Sequence, residues 1–420
     1  MKNTTLILKY LYNLERFGIK LGLEEITKLA AALGNPQNNF KCIHIAGTNG
    51  KGSVACFLAS ILQAAGFKVG LYTSPHLIRF NERIKVNDKN INDEKLAELT
   101  IFIKQKVEAE NIQTTFFEFT TALAFLYFSQ QGVDYAVIET GMGGRLDATN
   151  IINPELSVIT NISLDHTQHL GSTKKLIARE KAGIIKKDSV VITAETDPLI
   201  RRIFKEVCDG KKSQFIVLDK ELKYQLSSCD FSGQKFVTTG IINNLFEIRM
   251  LGEHQLHNAS LAILAANLLK IPVAVIKQGL KEAFWSGRLE VIKNRPLIIV
   301  DGTHNIAGMK KLVGFLKKQA LPKNKILLIG MSKDKEHKEM LRLIIPLFDQ
   351  IVISQGNYKP AEINLLESII RPYSKPVFTF ADIKEAIKKV QHLATSDDFI
   401  LITGSLYLVG DVLGHRNLFK

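Results

Sequence analysis

Cysteine is scarce in this chain: four in 420 residues, Cys42, Cys56, Cys208 and Cys229, with no Cys-x-x-Cys pair among them. That spacing argues against a disulfide scaffold and a structural zinc knuckle, and it fits a reducing compartment. Long apolar runs are missing too. The longest uncharged stretches, 52–67 and 119–133, carry Ser, Gln or Thr and fall short of the roughly 20 apolar residues of a spanning helix. The first nine residues, MKNTTLILK, hold no extended apolar region and no small-residue cleavage site, so no signal peptide is expected. A soluble, cytoplasmic protein is the expectation. The nucleophile elbow Gly-x-Ser-x-Gly is absent, which turns attention away from serine-hydrolase chemistry. Negative charge is the minority: 41 Asp and Glu against 55 Lys and Arg leave a formal net charge of +14. The surplus suits anionic ligands without choosing between nucleotide, nucleic acid and a polyanionic small substrate. No long basic helix and no aromatics interleaved with basic residues stand out, which counts against nucleic acid.

What is present is the composition of a globular protein, 46% apolar and 23% charged, at a length suited to two or three domains. Residues 41–46 read as a buried strand. A glycine-rich turn follows, and Val54, Phe57, Leu58, Ile61, Leu62 and Ala65 then recur on one helical face up to Gly66. Strands are expected at 67–72, 134–138 and 156–160, and helices at 92–110 and 118–131. Such alternation marks a parallel α/β sheet. Between 189 and 250 the texture turns to short strand pieces, before a long helix at 255–269. Ser286-Gly287-Arg288 and Asn294-Arg295-Pro296 interrupt the pattern, which places a domain boundary there and divides the chain into 1–290 and 291–420. Strand–helix alternation then restarts, with strands expected at 297–300, 326–330, 351–354, 377–380 and 399–403.

The sharpest signal is Gly47-Thr48-Asn49-Gly50-Lys51-Gly52-Ser53, between a predicted strand and a predicted helix. Glycines let backbone N–H groups turn inward around a phosphate, the helix N-terminus adds partial positive charge, and Lys51 adds a full one. The spacing departs from Gly-x-x-x-x-Gly-Lys-Ser/Thr, because two residues separate Gly47 from Gly50 and a glycine follows Lys51. It reads as a triphosphate loop. Ser74, Glu139 and the pair Asp165–His166 each lie just past a predicted strand. In an open parallel sheet those strand ends gather on one edge, where ligands bind. Ser74 and Glu139 are oxygen donors suited to Mg²⁺. An imidazole is a softer ligand, and by residue type alone His166 reads as a hydrogen-bonding histidine.

Two further clusters remain open on residue type. Residues 139–147, ETGMGGRLD, form a second glycine-rich turn, either ligand-binding or simply a long loop. Asp301-Gly302-Thr303-His304-Asn305 follows the first strand of the second domain. An Asp there can accept from ribose hydroxyls and His304 can reach a phosphate, while a plain turn with Asn305 as helix cap is the alternative. Lys181, among Arg179, Glu180, Lys186 and Lys187, reads from composition as a solvated helix end.

Taken in order along the chain, these segments resemble the folylpolyglutamate synthase/dihydrofolate synthase family of the Mur ligase superfamily. The matching stretches include 44–53, Thr73-Ser74-Pro75-His76-Leu77 with Arg79-Phe80-Asn81-Glu82-Arg83-Ile84, 139–150, 163–167, 180–184, 252–255 with Asn258, 287–288, 301–305 and 403–405. The resemblance implies an α/β fold: an N-terminal P-loop ATPase-like domain with a mostly parallel sheet, and a smaller Rossmann-like C-terminal domain. It implies that Gly47, Thr48, Asn49, Gly50, Lys51, Gly52 and Ser53, with Asn258, Arg288 and Asp301, bind ATP. Ser74, Glu139 and His166 would hold Mg²⁺, which replaces the reading of His166 by residue type. Lys181 would be carboxylated on its amine, and Lys51, His304 and Lys181 would be the catalytic set. Arg83, Thr115, Phe116, Phe117, Glu118, Leu146, Asp147 and Ala148 would line the pterin or folate pocket.

The implied reaction follows from the poor leaving group of a carboxylate. Transfer of the γ-phosphoryl group of ATP gives an acyl phosphate, which the amine of L-glutamate attacks to form an amide. Substrates would be dihydropteroate and the glutamate tail of reduced folates, with no nucleic-acid or membrane partner and a monomeric state. Folylpolyglutamate synthesis alone, or amino-acid ligation to a cell-wall precursor, are the alternatives within the superfamily. A phosphate-loop switch or nucleic-acid-stimulated ATPase is the alternative outside it.

Overall fold

Both faces of a central parallel strand are covered, so such strands read as apolar runs. In β1 (Lys41–Ala46) every residue after Lys41 is buried, His44 included. The computed structural model describes residues 2–14, 18, 22–322 and 324–419. It divides into two units: Met1–Ser227 with Lys235–Ile248 and Leu256–Phe284, and Ser228–Gln234 with Arg249–Gln255 and Trp285–Lys420.

The first unit is built on eight strands. They are β1, β2 (Val69–Tyr72), β3 (Ile84–Val86), β4 (Lys89–Asn90), β5 (Tyr135–Glu139), β6 (Leu156–Ile159), β7 (Val190–Thr193) and β8 (Gln214–Val217). Their spatial order is β4-β3-β2-β5-β1-β6-β7-β8. From β2 to β8 all neighbours are parallel, while β3 and β4 fold back antiparallel at the edge. Ile45 of β1 is in register with Glu139 of β5 and with Val158 of β6, so these strands end nearly level. The loops after β1, β2, β5 and β6 therefore open on the same edge, as the sequence reading anticipated.

Helices cover this sheet. Lys51–Ala64 follows β1 directly, and Val54, Phe57, Leu58, Ile61 and Leu62, five of the periodic positions, are buried. Phe116–Gln131 is apolar almost all round and buries Phe119, Phe125 and Phe128, the pattern of a helix packed on several sides. It stops where Gly132 takes a left-handed conformation, φ 60°. Helices Lys2–Asn13 and Glu24–Ala32 precede β1. Three further strands, β9 (Leu222–Asp230), β10 (Gly233–Gly240) and β11 (Asn244–Ile248), form a small sheet. Its first member was not anticipated, because half of its residues are exposed and polar.

The second unit carries a six-stranded sheet. Its strands are β12 (Glu290–Asn294), β13 (Leu297–Asp301), β14 (Lys325–Ile329), β15 (Gln350–Ile353), β16 (Val377–Thr379) and β17 (Phe399–Thr403). The order is β12-β13-β17-β14-β15-β16, parallel throughout except for β12 against β13. The five expected strands are all present. Strand β12 was unanticipated: the Asn294-Arg295-Pro296 break is the turn of a hairpin in which Glu290 pairs with Val300.

Candidate active site

The glycine loop follows β1 and is held from the neighbouring strand end. Asn161, just past β6, accepts from Thr48 N through its carbonyl at 2.8 Å and from Asn49 N through Oδ1 at 3.2 Å. Its Nδ2 donates to Asn49 O at 2.7 Å, and Thr160 Oγ1 donates to the same oxygen at 2.8 Å. Thr48 Oγ1 donates to Ser163 O at 3.2 Å. Every one of these contacts fixes the loop rather than filling it. Two glycines are obligatory for close approach. A Cβ on Gly47 would meet Thr160 Oγ1 at 1.8 Å, and one on Gly50 would meet Asn258 Oδ1 at 2.5 Å, with φ of 149° and 87°. Asn258 is thus brought against the loop from far along the sequence. Gly50 is also the N-cap of Lys51–Ala64 and has no side chain to offer its first amides, so that helix end suits an anion.

Charge converges at the same edge. Lys51 Nζ is 3.8 Å from Glu139 Oε1, and Ser74 N donates to Glu139 Oε2 at 3.2 Å. Glu139 is buried, and Thr140 Oγ1 beside it is buried with no hydrogen-bond partner among the described residues. A buried carboxylate, a serine and an orphan hydroxyl are hard oxygen donors, which fit Mg²⁺. His166 takes a left-handed conformation before the helix Thr167–Leu170, with its side chain 45% exposed and its Nε2 4.0 Å from Asp165 Oδ1. Among the described residues no group of three His, Cys, Asp or Glu is spaced to hold a metal ion, so a metal here would draw on serine or threonine oxygen as well.

Lys181 overturns the reading from composition. It is 4% exposed, and its Nζ donates to Gly47 O at 2.7 Å. Burial pushes the ammonium down to about 7, the charge of Lys51 pushes the same way, and Asp165 and Asp147 oppose it. Its charged neighbours were misleading: Arg179 and Lys181 share a helix, Lys174–Ala182, but leave it on different faces.

The second glycine-rich turn packs on that helix. A Cβ on Gly144 would meet Glu180 O and Lys181 O, each at 2.9 Å. Arg145 N donates to Glu180 O at 2.7 Å, and its guanidinium pairs with Glu180 Oε1 at 2.9 Å. Inside the turn Asp147 accepts from Met142 N at 2.8 Å, from Thr149 N at 3.1 Å and from Thr149 Oγ1. Burial raises its pKa against those hydrogen bonds. Thr149 Oγ1 in turn meets His44 Nε2 at 2.8 Å, and burial, with Lys186 nearby, lowers His44 to about 3. Ala148 is buried, and Leu146 is half-buried.

Of the remaining pocket residues, Thr115 and Glu118 form a capping box on Phe116–Gln131. Glu118 N donates to Thr115 Oγ1 at 3.3 Å, and Thr115 N and Oγ1 donate to Glu118 Oε2, each at 2.8 Å. Phe117 lies 6.1 Å from the Tyr72 ring and fills the space a Cβ on Gly141 would need, which joins this helix end to the 141–148 turn. Arg83 Cζ is 5.2 Å from the Phe116 ring centroid.

In the second unit Asp301 ends β13. Its Oδ1 accepts from Thr303 N at 3.0 Å and its Oδ2 from Leu289 N at 2.9 Å. Burial raises its pKa, opposed by Thr303 and Arg288. His304 Nδ1 is 2.9 Å from Gly302 O, which makes Nδ1 the protonated nitrogen. Asn305 caps Ile306–Lys317 by accepting from Gly308 N at 2.8 Å. Residue type had suggested Asp301, His304 and Asn305 but not Thr160, Asn161, His44 or Thr149, which are unremarkable polar residues until the strands align them.

Comparison with known proteins agrees with this geometry. Residues 45–266 match the Mur ligase middle domain, and residues 287–406 match the Mur ligase glutamate ligase domain. The Bacillus subtilis dihydrofolate synthase/folylpolyglutamate synthase is 36% identical over 94% of this chain and 95% of its own. Folylpolyglutamate synthase from Thermotoga maritima superposes with a TM-score of 0.88 at 33% identity, covering 99% of this chain and 97% of that one. FolC of Escherichia coli, solved with DHPP and ADP, superposes at 0.87 with 29% identity, covering 98% and 97%. The chain belongs to the Mur ligases and, within them, to the folylpolyglutamate synthase/dihydrofolate synthase family.

Proposed function

We propose that this chain is an ATP-dependent ligase that adds L-glutamate to dihydropteroate, giving dihydrofolate, and to the glutamate tail of reduced folates. The observation that carries the reading is the convergence of Lys51, Glu139 and Lys181 around the Gly47–Gly50 turn at one sheet edge. FolC of Escherichia coli was solved with DHPP and ADP, which supports a nucleotide and a small acceptor as the ligands. The enzyme works as a cytoplasmic monomer, with residues 1–290 as its ATP-binding part and 291–420 as its ligase part. Among the described residues no helix is long and apolar enough to cross a membrane.

The loop amides and Lys51 hold the ATP phosphates, and Gly47, Thr48, Asn49, Gly50, Gly52 and Ser53 shape the cradle. Asn258, Arg288 and Asp301 contact the rest of the nucleotide. Ser74, Glu139 and His166 would hold Mg²⁺, which supplies charge neutralisation to the polyphosphate when bound. Phe117, with the turn at 146–148, receives the pterin.

The acceptor carboxylate attacks the γ-phosphorus, ADP leaves, and an acyl phosphate results. Lys51 follows the charge that develops on the transferring group. Glutamate's amine then attacks the acyl carbon, losing a proton, and inorganic phosphate departs as the amide forms. His304 is assigned as the catalytic residue that acts on the γ-phosphate and the incoming amine. Lys181, buried and with a lowered pKa, reacts as the neutral amine with carbon dioxide, releasing a proton and turning a cation into a carbamate anion.

Incubation with ATP, Mg²⁺ and labelled glutamate, with dihydropteroate or tetrahydrofolate as acceptor, tests the reading. Incorporation into both is expected. Incorporation into tetrahydrofolate alone reduces the function to folylpolyglutamate synthesis, and incorporation into neither overturns it. Lys51→Ala is expected to cut turnover by at least about a hundredfold, the scale of a lost transition-state charge contact. A near-normal rate in that variant contradicts the phosphate-loop assignment.

A further inference from the structure

Arg83 is a buried cation with no counter-ion among the described residues. It ends the short turn Phe80–Arg83 ahead of β3 and is 8% exposed. Its guanidinium carbon lies 5.8 Å from the Phe80 ring centroid and 5.2 Å from that of Phe116. Its Nε donates to His76 Nδ1 at 2.9 Å. Among the described residues no carboxylate lies within ion-pair distance of it, and the N–H groups on Nη1 and Nη2 have no protein acceptor. Two aromatic faces satisfy the π face of a guanidinium but not its N–H edge. Neither Nη is sealed from solvent, so that edge is open to an anion that can displace water from it.

The contact with His76 fixes more than distance. Arginine can only donate, so His76 Nδ1 must present its lone pair and the ring proton must sit on Nε2. From there it reaches Tyr12 Oη at 3.5 Å. Tyr12 stacks on Phe116 at 5.9 Å with 15° between planes, and the His76 ring stands edge-on to Phe80 at 6.2 Å. His76, Phe80 and Phe116 thus contact the guanidinium, and Tyr12 braces His76 and Phe116 from behind. The backbone ties this cage to the reaction edge: Thr73 N donates to Arg83 O at 3.1 Å, and the next residue, Ser74, donates to Glu139.

We infer that His76 is a positioning residue that holds the Arg83 guanidinium with its outer N–H edge available to the carboxylate of the pteroyl acceptor. The inference rests on the function proposed above and adds which end of the acceptor meets this cage. A planar carboxylate matches the guanidinium fork, and the benzoate ring that carries it suits the neighbouring aromatic faces. The phosphates of ATP have their own amide-lined loop, which leaves the cage to the carboxylate.

Steady-state kinetics on the full chain, with dihydropteroate and ATP varied in turn, tests this. His76→Ala is expected to raise KM for dihydropteroate about tenfold, the scale of one charge-assisted hydrogen bond, with kcat and the KM for ATP little changed. His76→Asn, whose Oδ1 can accept in place of Nδ1, is expected to recover most of the loss. Arg83→Lys, which keeps the charge and loses the fork, is expected to raise the same KM. Calorimetric binding of 6-hydroxymethyl-7,8-dihydropterin, the ring system without the carboxylate, is expected to be equal in all four proteins. An unchanged KM in His76→Ala, no recovery in His76→Asn, or equal weakening for the carboxylate-free pterin overturns the inference and leaves the proposed function standing. No turnover of dihydropteroate by the unaltered enzyme overturns the function, and the inference falls with it.

Discussion

Among single residues Lys181 holds the most unusual position, because an amine buried to this degree favours its neutral form. The sign of the effect on stability follows from linkage. Its folded pKa of about 7 lies below the ordinary value of 10.5, so between those values the unfolded chain binds more protons, and stability rises with pH. Burying the charge therefore opposes folding most below about pH 7. Lys181→Met removes that opposition, so in carbon-dioxide-free buffer its stability relative to the parent is expected to be about 2–3 kcal/mol better at pH 6 than at pH 9. Urea unfolding at the two pH values checks this, and a difference independent of pH contradicts a depressed lysine. The same depression predicts the carbamate. With ¹³C-bicarbonate, a carbamate carbon resonance is expected to grow as pH rises through 7 and to be missing from Lys181→Met. None of this was legible from residue type, because the lysines and arginines around position 181 look like a solvated surface until the helix is set against the glycine turn.

The element that matters most is the strand–loop–helix unit from β1 into Lys51–Ala64. Its glycines were legible, and the structure says why two of them are required. Gly47 lies against Thr160 and Gly50 against Asn258, whereas a Cβ on Gly66 would meet nothing within 4 Å. Gly66→Ala therefore tests backbone strain alone, at φ 88°, and is expected to cost about 1–2 kcal/mol with an unchanged KM for ATP. Gly47→Ala adds a clash with a neighbouring strand end and is expected to cost more, roughly 1–3 kcal/mol beyond that, with a large loss of ATP turnover. Equal effects of the two substitutions on stability and ATP kinetics contradict the account of this loop. Parallel strands rich in Ile and Val could be read because burial on both faces leaves a simple pattern. Strand β9 could not, since its exposed, polar residues imitate a loop, and β12 was hidden by the Asn294-Arg295-Pro296 turn that follows it. The glycines at 143 and 144 illustrate the same limit: a ligand-binding turn and a turn pressed onto a helix share a composition, and only the distance to Glu180 and Lys181 shows that packing uses them.

For the whole molecule, the expected fold class and the convergence of strand ends follow from chain order and the rules of parallel sheets. The polar clamp on the loop, from Thr160 and Asn161, depends on tertiary register and had no local signature, and the residues around Arg83 were named by resemblance while their mutual contacts were not. Together they describe a protein built to bring an ATP phosphate to a carboxylate, and that transfer is the central claim. It is tested most directly with dihydropteroate carrying ¹⁸O in its carboxylate, turned over with ATP and L-glutamate, and with the released inorganic phosphate examined by mass spectrometry. The acyl phosphate route requires the bridging carboxylate oxygen to leave with phosphorus, so each phosphate is predicted to carry one ¹⁸O. Phosphate released without label while the amide forms would contradict it.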